Sequence, residues 1–542
     1  MKAIKSIKKI PIKILSILSL KFANKNIGAL NAFFLREYKN LNVNRNNPHK
    51  YNIAIESVRD PLFFALFSMI LLDVRKKISV SSHLLIVTSI NAAIGSGWRQ
   101  KFLRSRIVNT IINLQWIKIS VPFLGDNVAY KSQSFAHPLN DLKDWFHAKK
   151  IWEYQKHINK FSELTIDDIL VGDLIIDSYL RFKPSPEFKL SDPFVKYIIW
   201  QTLRDLRQAK KFFCNVKPIL YLTSYSTYIE HGIPLRVALK SNIKVRSYGH
   251  FSAFGKKLTS KDLFHTPNTS NYNKEFSRLN NQSALLKKAE SALNFRLAGG
   301  VDTATSYMRI SAYKVNKSAV PDVSGQIVIF LHDFYDSPHI YPNIIFQDFW
   351  SWIIFTIETL QKAKINFWIK PHPNQIDLSD IAIKDLIKKF PNLNILPSKI
   401  TNKQLASGKM KVGVTVYGTV AHELAYMGVP SITCSKDPHH AFDFCLRAKN
   451  IKQYRSFLLK SDKIFVDSSY LKQQALQYFY MHNFYSGQEA CDLANKYSNF
   501  YKIIEKDGSN LRAIKKTLGD LRNSEGWKNH INILVKDIAD VV

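Results

Sequence analysis

Three segments concentrate the residue types that handle protons and phosphate, and each directly follows a run of strand-forming residues. The first, LHDFYDSPH from Leu331 to His339, packs His332, Asp333, Asp336, Ser337 and His339 into eight positions. Carboxylates and imidazoles at that density can bind sugar hydroxyls or take a proton from one. A plain polar loop would use its Asp and Ser to cap the next helix, but capping does not call for two histidines. The second segment is IKPHPNQ, Ile369 to Gln375. Pro371 and Pro373 bracket His372 and stiffen the backbone on both sides. An imidazole held that way beside Lys370 suits hydrogen bonds to phosphate oxygens, with added positive charge. The alternative is a proline turn with an exposed histidine.

The third segment, VYGTVAHELAYMGVPSI from Val416 to Ile432, is the most specific signal in the chain. Its turn Gly418-Thr419 opens a helix, so free N–H groups and a hydroxyl face whatever sits at the strand end, an arrangement suited to phosphate. His422 and Glu423 follow on the first turn, although Glu423 could simply complement the helix dipole. Other clusters rank lower. Gly95-Ser96-Gly97 reads best as a turn. GDLIIDSYLR, Gly172 to Arg181, spaces Asp173, Asp177 and Arg181 by four, which suits a salt-bridged surface helix at least as well as a substrate contact. Glu230-His231-Gly232, and Glu56 and Asp60 beyond the first strand, could face a cleft. No H-E-x-x-H, CxxC, Walker or dinucleotide fingerprint is present, so no metal and no cofactor is expected.

These loops need a scaffold, and the hydrophobic pattern supplies one. Tyr51–Val58 reads as a strand, Asp60-Pro61 as a helix start running to about Ile78, and His83–Ser89 as the next strand. The alternation returns over Pro218–Ser224 and Ile243–Tyr248, with a helix between. Residues 255–320 are polar and mark a passage between domains. A second unit follows, with strands at Gln326–His332, Ile365–Lys370, Leu393–Leu396, Lys411–Val416 and Pro430–Cys434. Strand–helix–strand repetition predicts an α/β chain of two Rossmann-like lobes with a cleft between them. The expected division is a basic N-terminal segment over 1–50, a first lobe with connector over 51–320, a second lobe over 321–460 and a basic helical extension over 461–542.

Length and composition agree. At 542 residues the chain is too long for one core. Hydrophobic residues at 46% and aromatics at 13% exclude wholesale disorder. Four cysteines without CxxC spacing suggest a reducing compartment. The formal charge of +35 predicts attraction to polyanions. Nucleic acid is not expected as a partner, because the basic residues are dispersed and no nucleic-acid-binding motif occurs. The apolar run from Pro61 to Val74 is too short to span a bilayer. The first 25 residues carry seven Lys and no acid. A basic helix lying on an anionic membrane explains them better than a signal peptide. A solubilising tail is the bland alternative.

The run KPHPN, followed roughly forty residues later by YGTVAHELAYMGVPSI, resembles bacterial capsule and surface-polysaccharide biosynthesis glycosyltransferases of the GT-B fold. LHDFYDSPH and GDLIIDSYLR resemble the same group. The resemblance is firm over about 325–450, looser over about 165–315 and absent from the first 50 residues. It implies a nucleotide-sugar donor held mainly by the C-terminal lobe and an acceptor lobe before it. Related enzymes that use CMP-activated acidic sugars contact the donor phosphate through an HP motif, which maps onto His372 and Pro373. Their hydroxyl-bearing turn at a helix start maps onto Gly418 and Thr419. His332, His339, Lys370, Tyr417, His422 and Glu423 complete the expected donor site. Their acidic motif does not recur cleanly, leaving Asp333, Asp336 and Glu230 as candidate bases, in that order. The function implied is metal-independent transfer of a sugar, a CMP-sugar favoured, onto a lipid-linked or oligosaccharide acceptor at the cytoplasmic membrane face. Polyol-phosphate transfer from a CDP-activated donor and a non-catalytic glycan-binding export partner are the alternatives.

Overall fold

The computed structural model describes residues 33–37, 51–57, 60–86, 127–129, 138–155, 160–183, 185–248, 254–300, 313, 320–485, 488–507 and 510–540. The N-terminal basic segment over residues 1–25 and Gly95-Ser96-Gly97 lie outside them. The first sheet contains β1 (Tyr51–Ser57), β2 (Val80–Ile86), β3 (Asn127–Ala129), β4 (Leu220–Thr223), β5 (Lys244–Ser247) and β6 (Lys256–Leu258), in the order β3-β2-β1-β4-β5-β6. Every pairing is parallel except β5 with β6. Helices α1 (Pro61–Arg75), α2 (Pro138–Gln155), α3 (Gly172–Phe182), α4 (Pro193–Val216) and α5 (Tyr228–Lys240) belong to this lobe. The Asp60-Pro61 start signal works as its chemistry dictates. Asp60 Oδ1 accepts the N–H of Leu62 at 2.7 Å, and Pro61 sits where a missing N–H costs nothing.

The second sheet orders β7 (Ile327–Phe330), β8 (Phe367–Lys370), β9 (Val412–Thr415), β10 (Ser431–Thr433) and β11 (Cys445–Arg447) as β8-β7-β9-β10-β11, all parallel. Its helices include α6 (Phe349–Lys362), α7 (Asp377–Lys389) and α8 (Val420–Tyr426). β7 and β9 are buried along their whole length, as expected for parallel strands covered on both faces. The expected strand Leu393–Leu396 is reduced to one bridge. Only Asn394 O and Leu396 N reach Ile369, at 2.8 Å each, and Pro397 has no N–H to carry the pairing on.

Two Rossmann-like lobes therefore face each other in a GT-B type α/β arrangement. Both sheets reverse their direction of growth, the first between β1 and β4 and the second between β7 and β9. A crevice opens beyond the strand ends at each reversal, and such crevices are where open parallel sheets bind ligands.

The tail does not stand apart. α9 (Ser468–Phe484) packs on the second lobe, where Leu471, Ala475 and Tyr478 share a cluster with Ala421 and Ala425 of α8. α10 (Gln488–Asp507), α11 (Leu511–Arg522) and α12 (Glu525–Ala539) return to the first lobe. Phe500, Leu518, Trp527 and Leu534 join the core built on α1. Asp73 of α1 anchors them through Arg522 and Trp527 Nε1, each at 2.9 Å. No helix among the described residues is long and apolar enough to cross a membrane.

One expectation needs correction. GDLIIDSYLR is not a surface helix: α3 is buried from Gly172 to Leu180. Asp173 is gripped by Arg236 of α5 through both carboxylate oxygens, at 2.7 and 2.6 Å.

Candidate functional site

Over the β7–β9 reversal lies a cavity of about 270 Å³. Its wall takes His332 and Asp336 from the loop after β7, Lys370, His372 and Pro373 from the loop after β8, and Tyr417, Gly418, Thr419 and Glu423 from the segment after β9. All three sequence segments thus converge, because β8, β7 and β9 are adjacent parallel strands ending on the same edge. Two glycines set the spacing. A Cβ on Gly413 would fall 2.3 Å from Leu424 Cδ1, so the bare backbone lets α8 lie directly on β9. A Cβ on Gly418 would fall 2.9 Å from Thr415 Oγ1.

Lys370 lines the cavity while being only 4% accessible. Its ammonium makes no hydrogen bond or ion pair with the described residues. Burial pushes its pKa down to about 8, and Glu423 nearby only partly restores it. Glu423 itself is held elsewhere, accepting from Tyr313 Oη at 2.7 Å and Asn402 Nδ2 at 2.8 Å. Beside Lys370, His372 Nδ1 accepts the N–H of Asn374 at 3.2 Å. Burial and the Lys370 charge both hold His372 below its ordinary pKa. The neutral ring therefore carries its proton on Nε2, a donor left over for a ligand.

His332 spans the reversal, its Nε2 3.1 Å from Thr415 Oγ1 at the end of β9. Its ring stacks on Phe349 at 4.7 Å, and burial, with a smaller push from His372 whenever that ring is protonated, drives its pKa down to about 3. It is a neutral hydrogen-bonding partner at neutral pH. Asp336 lines the cavity and keeps an exposed surface, although much protein encloses its carboxyl group. That enclosure raises its pKa, against the opposing pull of the Ser337 N–H and Arg181. A carboxylate of raised pKa in a ligand-sized cavity is suited to accepting a proton.

Three expected site residues lie elsewhere. Asp333 is taken up in building the loop: Oδ1 accepts from Tyr335 N and Ser379 Oγ, and Oδ2 from Ile376 N, all within 3.0 Å. His422 lies off the cavity wall in an aromatic cluster, 5.2 Å from the Tyr478 ring, with neither ring nitrogen hydrogen-bonded among the described residues. Burial holds it well below its ordinary pKa. His339 joins the lobes, as its Nδ1 lies 2.7 Å from Asp177 Oδ1 of α3, and Ser337 Oγ donates to the same carboxylate. Burial alone would depress the His339 pKa, but Asp177 lifts it above its ordinary value.

The first lobe holds a second polar cluster at its own reversal. Glu56, at the end of β1, is fully buried. It accepts from Thr223 Oγ1 at 3.0 Å, from Ser224 N and Oγ at 2.7 Å, and from His231 Nδ1 at 2.7 Å. His231 Nε2 lies 3.2 Å from Glu230 Oε1. Burial opposes the imidazolium, yet Glu56 and Glu230 push the His231 pKa up to about 10. Glu230 is thus the outer carboxylate of an ordered Glu–His–Glu array. Thr415, Tyr313, Asn402 and Ser224 were not singled out from sequence. Thr415 and Ser224 could have been, since both lie at the ends of strands beside the reversals. Among the described residues no group of three or more His, Cys, Asp or Glu is arranged to hold a metal ion.

No known protein family matches the chain, and no curated protein matches it. Solved structures with partial similarity include a glycosyltransferase from Rickettsia africae, at 12% identity over 85% of this chain and 100% of that one, with a TM-score of 0.26. The UDP-GlcNAc 2-epimerase of Neisseria meningitidis, bound to UDP-GlcNAc, is 11% identical over 85% and 100%, with a TM-score of 0.25. A Medicago truncatula protein complexed with UDP-glucose is 11% identical over 87% and 98%, with a TM-score of 0.20. Overlaps this slight carry no argument about activity.

Proposed function

We propose that this chain is a glycosyltransferase that moves a sugar from a nucleotide-activated donor to a growing surface polysaccharide. The observation that carries the reading is Lys370, a buried cation with no hydrogen bond or ion pair among the described residues, on the wall of a cavity beside the His372 donor. Burying an unpaired ammonium is costly, and an anionic ligand removes the cost. The donor's phosphate sits against Lys370, His372 and the first turn of α8. These groups stabilise the negative charge that gathers on the phosphate oxygen as its bond to the anomeric carbon breaks. The acceptor hydroxyl forms the new bond to that carbon and gives its proton to a carboxylate. Of the three candidate bases, Asp336 combines cavity access with a raised pKa, Glu230 follows, and Asp333 is the least available.

In this reading the donor is a CMP-sugar and the acceptor a lipid-linked or oligosaccharide chain. The enzyme works peripherally at the inner face of the cytoplasmic membrane, and the basic surface suits both the membrane and an anionic glycan. The test is a thermal-shift panel with CMP, CDP, UDP, GDP and ADP on the wild type and on His372→Ala. A ligand at 100 times its Kd stabilises by about 2.7 kcal/mol. Selective stabilisation by CMP that is lost in the variant supports the reading. A UDP or GDP response changes the donor class, and no response to any nucleotide overturns the reading.

A further inference from the structure

Among the described residues, Arg181 stands apart from the other arginines that are not fully exposed. Of those buried or half-buried in the described residues, Arg204, Arg207, Arg236, Arg246, Arg447 and Arg522 each hold a carboxylate. Arg75 and Arg296 reach neutral oxygens, of Ser82 and Asn483. Arg181, half-buried on the last turn of α3, has neither a hydrogen bond nor an ion pair among the described residues. Its place in the fold is given by its neighbours. It lies one helical turn after Asp177, on the same face, and Asp177 touches Ser337 and His339 of the second lobe. The next residue, Phe182, packs its ring 6.3 Å from that of Tyr228, at the start of α5 beyond β4. Arg181 therefore sits where the first lobe meets the loop that carries Asp336, whose side chain lines the cavity. It is near enough to pull on the titration of both Asp336 and Tyr228.

We infer that Arg181 is a specificity-determining residue that takes a second anionic group of the substrate, a carboxylate or phosphate, from the first-lobe side of the cleft. An unpaired guanidinium presents a planar fork of donors that matches such groups and discriminates them from a hydroxyl. Lys370 and Arg181 then divide the work, one lobe holding the leaving phosphate and the other reading the charge of the sugar portion. The identity of the substrate rests on the glycosyl-transfer reading, but the anion site itself does not.

The experiment uses matched pairs that differ by one carboxylate. Binding of glucose and glucuronate is measured on the full-length protein with and without saturating CMP or UDP, and binding of UDP-glucose and UDP-glucuronate is measured separately. Wild type, Arg181→Gln and Arg181→Lys are compared. The expected result is at least about a tenfold preference for the charged member, abolished by Arg181→Gln and partly kept by Arg181→Lys, with affinity for the bare nucleotide unchanged. A preference confined to the sugar nucleotides places the anion on the donor, and one seen with free glucuronate places it on the acceptor. Both support the inference. Equal binding of the charged and neutral members, or a preference that survives Arg181→Gln, overturns it. Failure of every nucleotide to bind overturns the transferase reading instead, and the free-sugar pair still reports on Arg181.

Discussion

His339 Nδ1 and Asp177 Oδ1 meet 2.7 Å apart, both almost fully buried, where the two lobes join. A second junction lies alongside. Asp348 caps α6 through Ser351 N at 2.6 Å and also accepts Phe188 N from the first lobe at 2.8 Å. The cleft is thus bounded by polar contacts whose partners come from separate sheets, which fixes how the loop 331–339 faces α3. Removing one member of the first pair strands the other. His339→Ala should lower the unfolding free energy by about 3–5 kcal/mol, the usual cost of an unpaired buried charge. Replacing both Asp177 and His339 by Leu should restore most of it. Urea midpoints of the two single variants and the double variant test this, and a double variant as unstable as the worse single one would contradict it.

The Glu56–His231–Glu230 array should give a signature at alkaline pH. The folded-state pKa of His231 is raised to about 10, with burial opposing and Glu56 the main lifting charge. A raised imidazole stabilises the fold fully below its unfolded value near 6.5 and loses that contribution as pH rises through the folded value. The stability gap between wild type and His231→Gln should therefore shrink between about pH 6.5 and pH 10, by at most about 1.4 kcal/mol per unit. A gap that stays constant over that range would mean that the imidazole is not held as a cation.

The convergence of the second-lobe candidate residues was largely legible in the sequence for a local reason. Lys370, His372, Gly418 and Thr419 each lie within a few residues of a strand end, and adjacent parallel strands bring their ends together without further information. Both lobes were readable from the same alternation. What was not legible depends on partners far apart in the chain. Asp177 and His339 are 162 positions apart, and Glu56 and His231 are 175. The spacing of Asp173, Asp177 and Arg181 suggested an exposed helix because charges every fourth residue usually face water. Here Asp173 and Asp177 meet Arg236 and His339 instead. His422 misled in another way. On a helix of seven residues, being next to Glu423 turns a side chain by about 100°, enough to take it out of the cavity.

Acid should weaken the fold through buried neutral histidines. Burial, reinforced by neighbouring Arg447 and Arg246 respectively, pushes His439 and His530 down to about 3. In the unfolded chain both take a proton near pH 6.5, so stability falls as pH drops below that value, each adding a slope of about 1.4 kcal/mol per unit. His439 is the cleaner probe, because its Nε2 has no hydrogen-bond partner among the described residues. His439→Phe should flatten the decline between about pH 6 and pH 4 by one proton's worth. Thermal or urea unfolding across that range measures it, and an unchanged slope would remove His439 from the acid response.

Lys370→Met should separate stability from binding. The substitution removes a buried charge that has no hydrogen bond or ion pair among the described residues and keeps most of the apolar stem, so unfolding free energy should be at least that of wild type. Nucleotide binding should move the other way, weakening about 10–100-fold with the loss of a charge-assisted contact to phosphate. Because burial sets the free protein's Lys370 pKa at about 8, wild-type affinity should also decline as pH rises through that value, while the variant stays flat. Calorimetric titration of CMP and UDP between about pH 7 and pH 9, with urea unfolding of both proteins, checks all three outcomes. A variant that binds less and unfolds more easily in proportion would make Lys370 part of the scaffold. Weaker binding with undiminished stability is what an anion-binding lysine requires, since its charge is satisfied only when the ligand arrives.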